Sequence, residues 1–301
     1  MELVKLKPAV KDYIWGGNYF QKFNKGLGLV RVSECWELSV RDDDSSIIAF
    51  GKDEGKRLCD VLTKEDIGPV MDRFPYFPLL IKLIDAKENL SVQVHPSDDY
   101  ALKYENSFGK SEMWHIISAD EGSGLYVGLN KDYKKEDIEK ALKEGTIIEC
   151  LNFFKVRPGD TFVINPGTIH AIGKGVRLIE IQQNSNLTYR LYDYNRVDAN
   201  GNPRELHIQK ALAVIDYRQY KPSKEKGEYL ADNQYFSVKK ASFDGDFKIS
   251  ANGNSFVSFT FLDGEGMADD IPFSQYDTFF LPYKKECLIK GKGRVVISQV
   301  R

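Results

Sequence analysis

Three separated stretches of this 301-residue chain carry side chains that can hold a cation or move a proton. In Leu90-Ser91-Val92-Gln93-Val94-His95-Pro96 an extended backbone alternates its side chains, so Ser91, Gln93 and His95 share one face and Val92 and Val94 the other. A half-buried strand normally turns apolar residues inward. Two Lewis-base donors at i and i+2, ended by a proline, imply a metal ion between them. In Gly109-Lys110-Ser111-Glu112-Met113-Trp114-His115-Ile116-Ile117 the same period groups Glu112 with Trp114 and Ile116 and sends His115 to the opposite face. A buried glutamate needs a partner, so beside an inward histidine Glu112 favours a shared cation; the alternative is a solvated glutamate at a strand end. The third stretch, Val156 to Ile172, has two turns, Pro158-Gly159-Asp160 and Asn165-Pro166-Gly167, which bracket a four-residue strand and deliver His170 at the start of the next.

The elements that must position these groups are mostly strands. Phe77 to Asp85 reads as a buried strand interrupted by Lys82, either an edge or snorkelling lysine or a cation facing an anionic ligand inside a barrel. Cys35 to Val40 alternates like a strand, and Tyr13-Ile14-Trp15-Gly16-Gly17 is an aromatic run closed by a glycine turn. Short helices are expected at Leu58 to Leu62, at Lys64 to Phe74, after an N-cap at Ser97, and over Lys134 to Glu144 with Gly145 as C-cap. Pro203 marks a helix start before the apolar stripe Ile208, Ala211, Leu212 and Ile215, making His207 a helix neighbour rather than a ligand. Lys221 to Gly227 reads as a polar linker. Beyond it, Tyr235–Lys240, Ser255–Phe261, Asp277–Pro282 and Arg294–Ser298 are strands separated by glycine-containing or polar turns. We expect a catalytic domain over 1–220 and a smaller β-sandwich over 228–301; the latter holds no histidine and is assigned to packing and to closing one side of the site.

Gly159, six residues, Pro166-Gly167, two residues and His170 resemble the second signature of the cupin barrels, whose histidine is a metal ligand. Adding Gln93-x-His95-Pro96, Lys110-x-Glu112 and Glu180-Ile181-Gln182-Gln183-Asn184-Ser185-Asn186 through Tyr189-Arg190-x-Tyr192-Asp193, the chain resembles the type I mannose-6-phosphate isomerases in their short bacterial form, from Trp15 to about Arg196. The resemblance implies a mainly β cupin (jelly-roll) barrel with a cupin-like second domain. It also implies one metal ion per chain, usually zinc, held by Gln93, His95, Glu112 and His170, with Arg190 and Lys110 catalytic in the pocket. That ligand set agrees with the reading of the residues: one carboxylate and three neutral donors, without thiolates, suit an open Lewis-acid site. The implied reaction interconverts mannose 6-phosphate and fructose 6-phosphate through a cis-enediol. It needs charge stabilisation on two oxygens and one base, for which Lys110, a nearby unligated carboxylate or a metal-bound water are candidates. Lys82, Ser111 and Asn186 join Lys110 and Arg190 as candidate substrate contacts; Asn186 stands where many members carry aspartate. The bland alternative for Arg190 is a surface pair with Asp193 or Asp198.

A net charge of -2 gives no reason to expect nucleic acid or an anionic membrane as partner. The N-terminus lacks an apolar leader, no stretch approaches the roughly 20 apolar residues of a membrane span, and Cys35, Cys59, Cys150 and Cys287 are too scattered for a zinc knot. These features predict a cytoplasmic protein with a small-molecule partner, as a monomer or homodimer. A non-catalytic cupin sugar-phosphate binder is the alternative function, favoured only by Asn186, and a metal oxygenase on the same barrel is a third.

Overall fold

The run around Lys82 forms the strand Leu79–Ala86, and all eight of its residues are buried. A strand covered on both faces loses the alternation of a half-exposed one, which is why it reads as almost continuous apolar sequence. The computed structural model, which describes residues 1–197, 200–222 and 228–301, puts it inside a six-stranded antiparallel sheet. The order there is Thr161–Ile164, Glu112–Ala119, Val176–Gln183, Leu79–Ala86, Glu34–Leu38 and Ala9–Lys11. Lys82 is therefore not an edge residue. It pairs in register with Trp36 on one side and Glu180 on the other.

A five-stranded sheet covers one face of this sheet, in the order Tyr189–Tyr192, Val92–Val94, His170–Ile172, Gly124–Leu129 and Leu151–Lys155. Between the two, Trp15, Ile84, Trp114, Val127, Ile172 and Leu178 form one core. The opposite face packs Leu79, Ile81, Leu83, Ile179 and Ile181 against Phe236, Val238, Phe280 and Val296 of an eight-stranded sheet. Even-numbered residues of Leu79–Ala86, and the residues in register with them on the strands beside it, thus face the five-stranded sheet. That parity turns Lys82, Glu112, Trp114 and Glu180 into one space.

The eight-stranded sheet is mostly C-terminal, but Val4–Lys7 pairs with Thr278–Leu281 and with Ile47–Ile48, so the N-terminal stretch contributes to it. Its long strands Phe236–Ser250, Val257–Ala268 and Glu286–Val300 overrun the turns expected at their glycines. Gly245, Gly291 and Gly266 lie opposite one another across the three strands. Gly291 has φ 152, and a Cβ there would lie 2.4 Å from the Glu265 carbonyl oxygen. The glycines let strands bend and approach instead of ending them. A separate core of Phe243, Phe259, Phe261, Phe273 and Phe279 fills the bent half.

The helix expected over 64–74 is split: Gly68, at φ 99, ends Lys64–Ile67 and Pro69 begins a 3-10 turn. The helix expected from Pro203 starts only at Ile208. Lys135–Glu144 ends on Gly145 in the left-handed conformation, as expected. Ser97 precedes the helix Asp98–Tyr104 but makes no cap bond; Asp98 Oδ1 instead accepts from the Gly109 N–H at 2.8 Å and Gln183 Nε2 at 3.1 Å. The segment leading into Lys110 and Glu112 is thereby tied down. Residues 223–227 of the expected linker lie outside the described residues.

Candidate functional site

His95, Glu112 and His170 come from three different strands or their ends, and their ligand atoms lie within 4.8 Å of one another, all buried. The Asn165–Thr168 turn positions both histidines. The Gly167 N–H donates to the His95 carbonyl at 2.8 Å, and His170 Nδ1 lies 2.9 Å from the Thr168 carbonyl. His95 Nδ1 lies 2.8 Å from the Leu187 carbonyl. A carbonyl only accepts, so both Nδ1 atoms carry the proton and both Nε2 atoms present lone pairs. Those lone pairs face Glu112, 3.3 Å from His95 and 3.6 Å from His170. Burial, with Lys110 adding to it, drives the His95 pKa down to about 3, and burial lowers that of His170 as well.

Two lone pairs and a carboxylate converging without a proton between them repel unless a cation joins them. Among the described residues no donor is aimed along a hydrogen-bond direction at either Glu112 oxygen, although the Lys110 ammonium lies 2.5 Å from one of them and 3.3 Å from His95 Nε2. Burial opposes the Glu112 charge, but Lys110 and the imidazoles hold its pKa well below the carboxylate range. Gln93, paired in register with His170, brings its side-chain amide 3.4 Å from His170 Nε2; a half-turn of that amide presents the oxygen instead. Neutral imidazole nitrogens, a carboxylate and an amide oxygen suit a divalent ion, and such an ion would answer the unsatisfied carboxylate.

Above this group opens a cavity of about 580 Å³, lined among others by Ser91, Gln93, Lys110, Asn186, Arg190 and His207. This volume suits a small ligand. On its inner wall the Lys82 ammonium sits 3.3 Å from Glu34 and 3.4 Å from Glu180, over the Trp36 ring. Burial works against that charge, yet the two carboxylates raise the Lys82 pKa. Burial and the nearby Glu112 charge push Glu180 up to about 7, while its Oε1 accepts from Trp114 Nε1 at 2.9 Å. Arg190 is half-buried on the opposite wall. Its Nε donates to Ser91 Oγ at 3.3 Å and its Nη1 to the Glu205 carbonyl at 2.8 Å, and among the described residues no carboxylate pairs with it. Asp193 is taken by Arg196 and Arg204, and Asp198 lies outside the described residues.

The cavity therefore gathers Lys82, Gln93, Lys110, Asn186 and Arg190, with His95, Glu112 and His170 clustered beside Gln93 and Lys110. It does not gather Ser111. Between inward Lys110 and Glu112, alternation turns Ser111 away: its N–H donates to Gln183 Oε1 at 2.8 Å and its hydroxyl meets Asn233 Nδ2 at 3.5 Å. His115 takes the face opposite Glu112, with Nδ1 2.8 Å from Thr161 Oγ1.

The sequence profile of phosphomannose isomerase type I, catalytic domain, matches residues 3–114. The chain is 35% identical to the mannose-6-phosphate isomerase ManA of Bacillus subtilis over 98% of both chains. It is 33% identical to the mannose-6-phosphate isomerase of Streptococcus mutans, over 87% of this chain and 85% of that one. A crystal structure of the mannose 6-phosphate isomerase from Bacillus subtilis superposes with a TM-score of 0.88 at 31% identity, covering 99% of this chain and 100% of the other. The chain belongs to the mannose-6-phosphate isomerase family. Against this family background the cavity shows what inspection of single stretches misses: Glu34, Glu180, Arg204 and His207 are also on its wall. A charge between Ile179 and Ile181 in the strand Val176–Gln183 was a signal for Glu180, as Lys82 was within its own run. Nothing local marks Arg204, whereas His207, expected as a helix neighbour, stands at the start of the helix Ile208–Val214 and also lines the cavity. No helix among the described residues is long and apolar enough to cross a membrane.

Proposed function

We propose that this protein is a metal-dependent aldose-ketose isomerase that interconverts mannose 6-phosphate and fructose 6-phosphate through a cis-enediol, with zinc as its ion. The observation that carries the reading is the convergence of two unprotonated imidazole nitrogens on a buried carboxylate beside a ligand-sized cavity. Gln93, His95, Glu112 and His170 hold the ion. When bound it supplies Lewis acidity toward the sugar oxygens. Arg190, with no carboxylate partner among the described residues, offers its guanidinium to the negative charge that develops on those oxygens. The proton moving between C1 and C2 needs a carrier over one face of the sugar, and Lys110 and the Lys82–Glu180 pair are the cavity groups able to take and return it. Trp15, Trp36 and Trp114 surround these groups and limit water. A monomer and a homodimer are both compatible with this cavity. The four free cysteines agree with a cytoplasmic location.

The test is a coupled assay of fructose 6-phosphate formation with metal analysis of the same sample. Chelation should abolish turnover, and zinc, manganese or cobalt should restore it. Full activity in metal-free protein would overturn the role given to the ligand group.

A further inference from the structure

Arg204 lies on the cavity wall with 27% of its side chain exposed, and its guanidinium is only half engaged. Nε donates to Asp193 Oδ2 at 2.7 Å and Nη2 to Asp193 Oδ1 at 2.6 Å, a two-point grip that fixes the plane of the group. Its Nη1 makes no hydrogen bond to a described residue. Asp193, 5% exposed, also takes Arg196, whose Nη1 is spent on the Asn89 carbonyl at 2.6 Å. One carboxylate thus answers two guanidinium groups, and the neighbouring Arg190 has none among the described residues. Arg190 and the 204–207 segment form one unit: the His207 N–H donates to the Arg190 carbonyl at 2.7 Å, and His207 Nδ1 accepts from the Arg190 N–H at 3.3 Å. Burial and the charge of Arg204 both lower the Arg190 pKa, so the two cations sense each other. The opposite wall has the reverse balance, with Glu34 and Glu180 against Lys82. A ligand that reacts at one end and carries a dianion at the other finds matching charge only in one orientation.

We propose that Arg204 receives the phosphate of the sugar phosphate through its free Nη1 edge, and that Asp193 is the positioning residue that aims it. This rests on the isomerase reading for the identity of the ligand. It adds the residue that separates phosphorylated from free sugar and sets which end enters first. A guanidinium gripped along one edge keeps its other N–H groups fixed, so little side-chain entropy is lost when an oxyanion arrives.

The experiment uses metal-loaded full-length protein with inorganic phosphate and mannose 6-phosphate as probes. Arg204→Gln should raise KM for mannose 6-phosphate and the inhibition constant of inorganic phosphate by about tenfold or more, with a smaller change in kcat; Arg204→Lys should fall between it and wild type. Asp193→Asn should also raise KM. If Asp193 merely neutralised charge, its loss would strengthen phosphate binding, and that result overturns its positioning role. Values of KM and inhibition constant within twofold of wild type in both Arg204 variants overturn the proposal. Protection from heat unfolding by inorganic phosphate is measured alongside and needs no turnover. A wild-type protein protected by phosphate but unable to isomerise mannose 6-phosphate defeats the isomerase reading alone. Protection that survives Arg204→Gln and disappears in His170→Ala assigns phosphate to the ion and defeats Arg204.

Discussion

His170 and Arg190 differ in what their loss should do, because one belongs to the ion-holding group and the other to the cavity wall. His170→Ala removes a nitrogen already aimed by the Thr168 carbonyl, so metal content and activity should fall together. Arg190→Ala leaves the three buried ligands untouched and should keep the metal. If its guanidinium meets charge mainly in the transition state, kcat should drop by about 10² with a smaller change in KM. Metal analysis and steady-state kinetics on both variants decide this, and wild-type kinetics in Arg190→Ala would return that residue to a structural role. His115 supplies a contrasting case: a buried histidine outside the site whose pKa is held down to about 4, first by burial and then by Lys240 and Arg294. The folded state prefers its neutral form, whereas the unfolded chain takes up the proton near the ordinary value of 6.5. Stability should therefore fall as pH drops from about 6.5 toward 4, with His115 accounting for about 2 kcal/mol between pH 7 and pH 5. Urea titrations of wild type and His115→Gln at the two pH values test this, and equal pH slopes would contradict it.

Among the elements, the glycine row of the long C-terminal strands makes the sharpest demand. Gly291→Ala puts a methyl group 2.4 Å from the Glu265 carbonyl at a φ of 152. Backbone cannot yield as a flexible side chain does, so the variant should lose about 2 kcal/mol or more, read as a fall in the unfolding midpoint. Unchanged stability would mean that the strands can separate there without cost. The turn Asn165–Thr168 plays the matching part near the site, since its backbone holds one histidine by its carbonyl and the other by its ring.

For the whole molecule, the six-stranded sheet is a middle layer whose second face depends on residues far along the chain. A fragment ending at residue 220 would expose Leu79, Ile81, Leu83, Ile179 and Ile181 and deprive Val4–Lys7 of Thr278–Leu281. We expect it to be aggregated or molten, judged by loss of a cooperative unfolding transition and by dye binding, even though it contains every proposed ligand. A soluble, cooperatively folding fragment with metal bound would show that the first two sheets suffice.

The sequence by itself determined what depends on short-range geometry. The two-residue period of a strand is enough to put Gln93 with His95 and Glu112 with Trp114, and to turn His115 away, because alternation needs no knowledge of the partner strand. The same holds for the Pro-Gly turns that deliver His170 and for the glycine that ends Lys135–Glu144. The family, too, was legible there. What only the tertiary structure decided is which faces meet. Lys82 reads equally as an edge residue until sheet order puts Trp36 and Glu180 beside it. Ser111 sits between two site residues yet points elsewhere, and Arg190 is free of Asp193 because Arg196 and Arg204 hold that carboxylate. Glycines that mark turns by composition lie within continuous strands when another glycine stands opposite, a pairing between residues tens of positions apart. Such pairings are set by long-range packing and by which partner satisfies each buried charge, and no local window of sequence contains either.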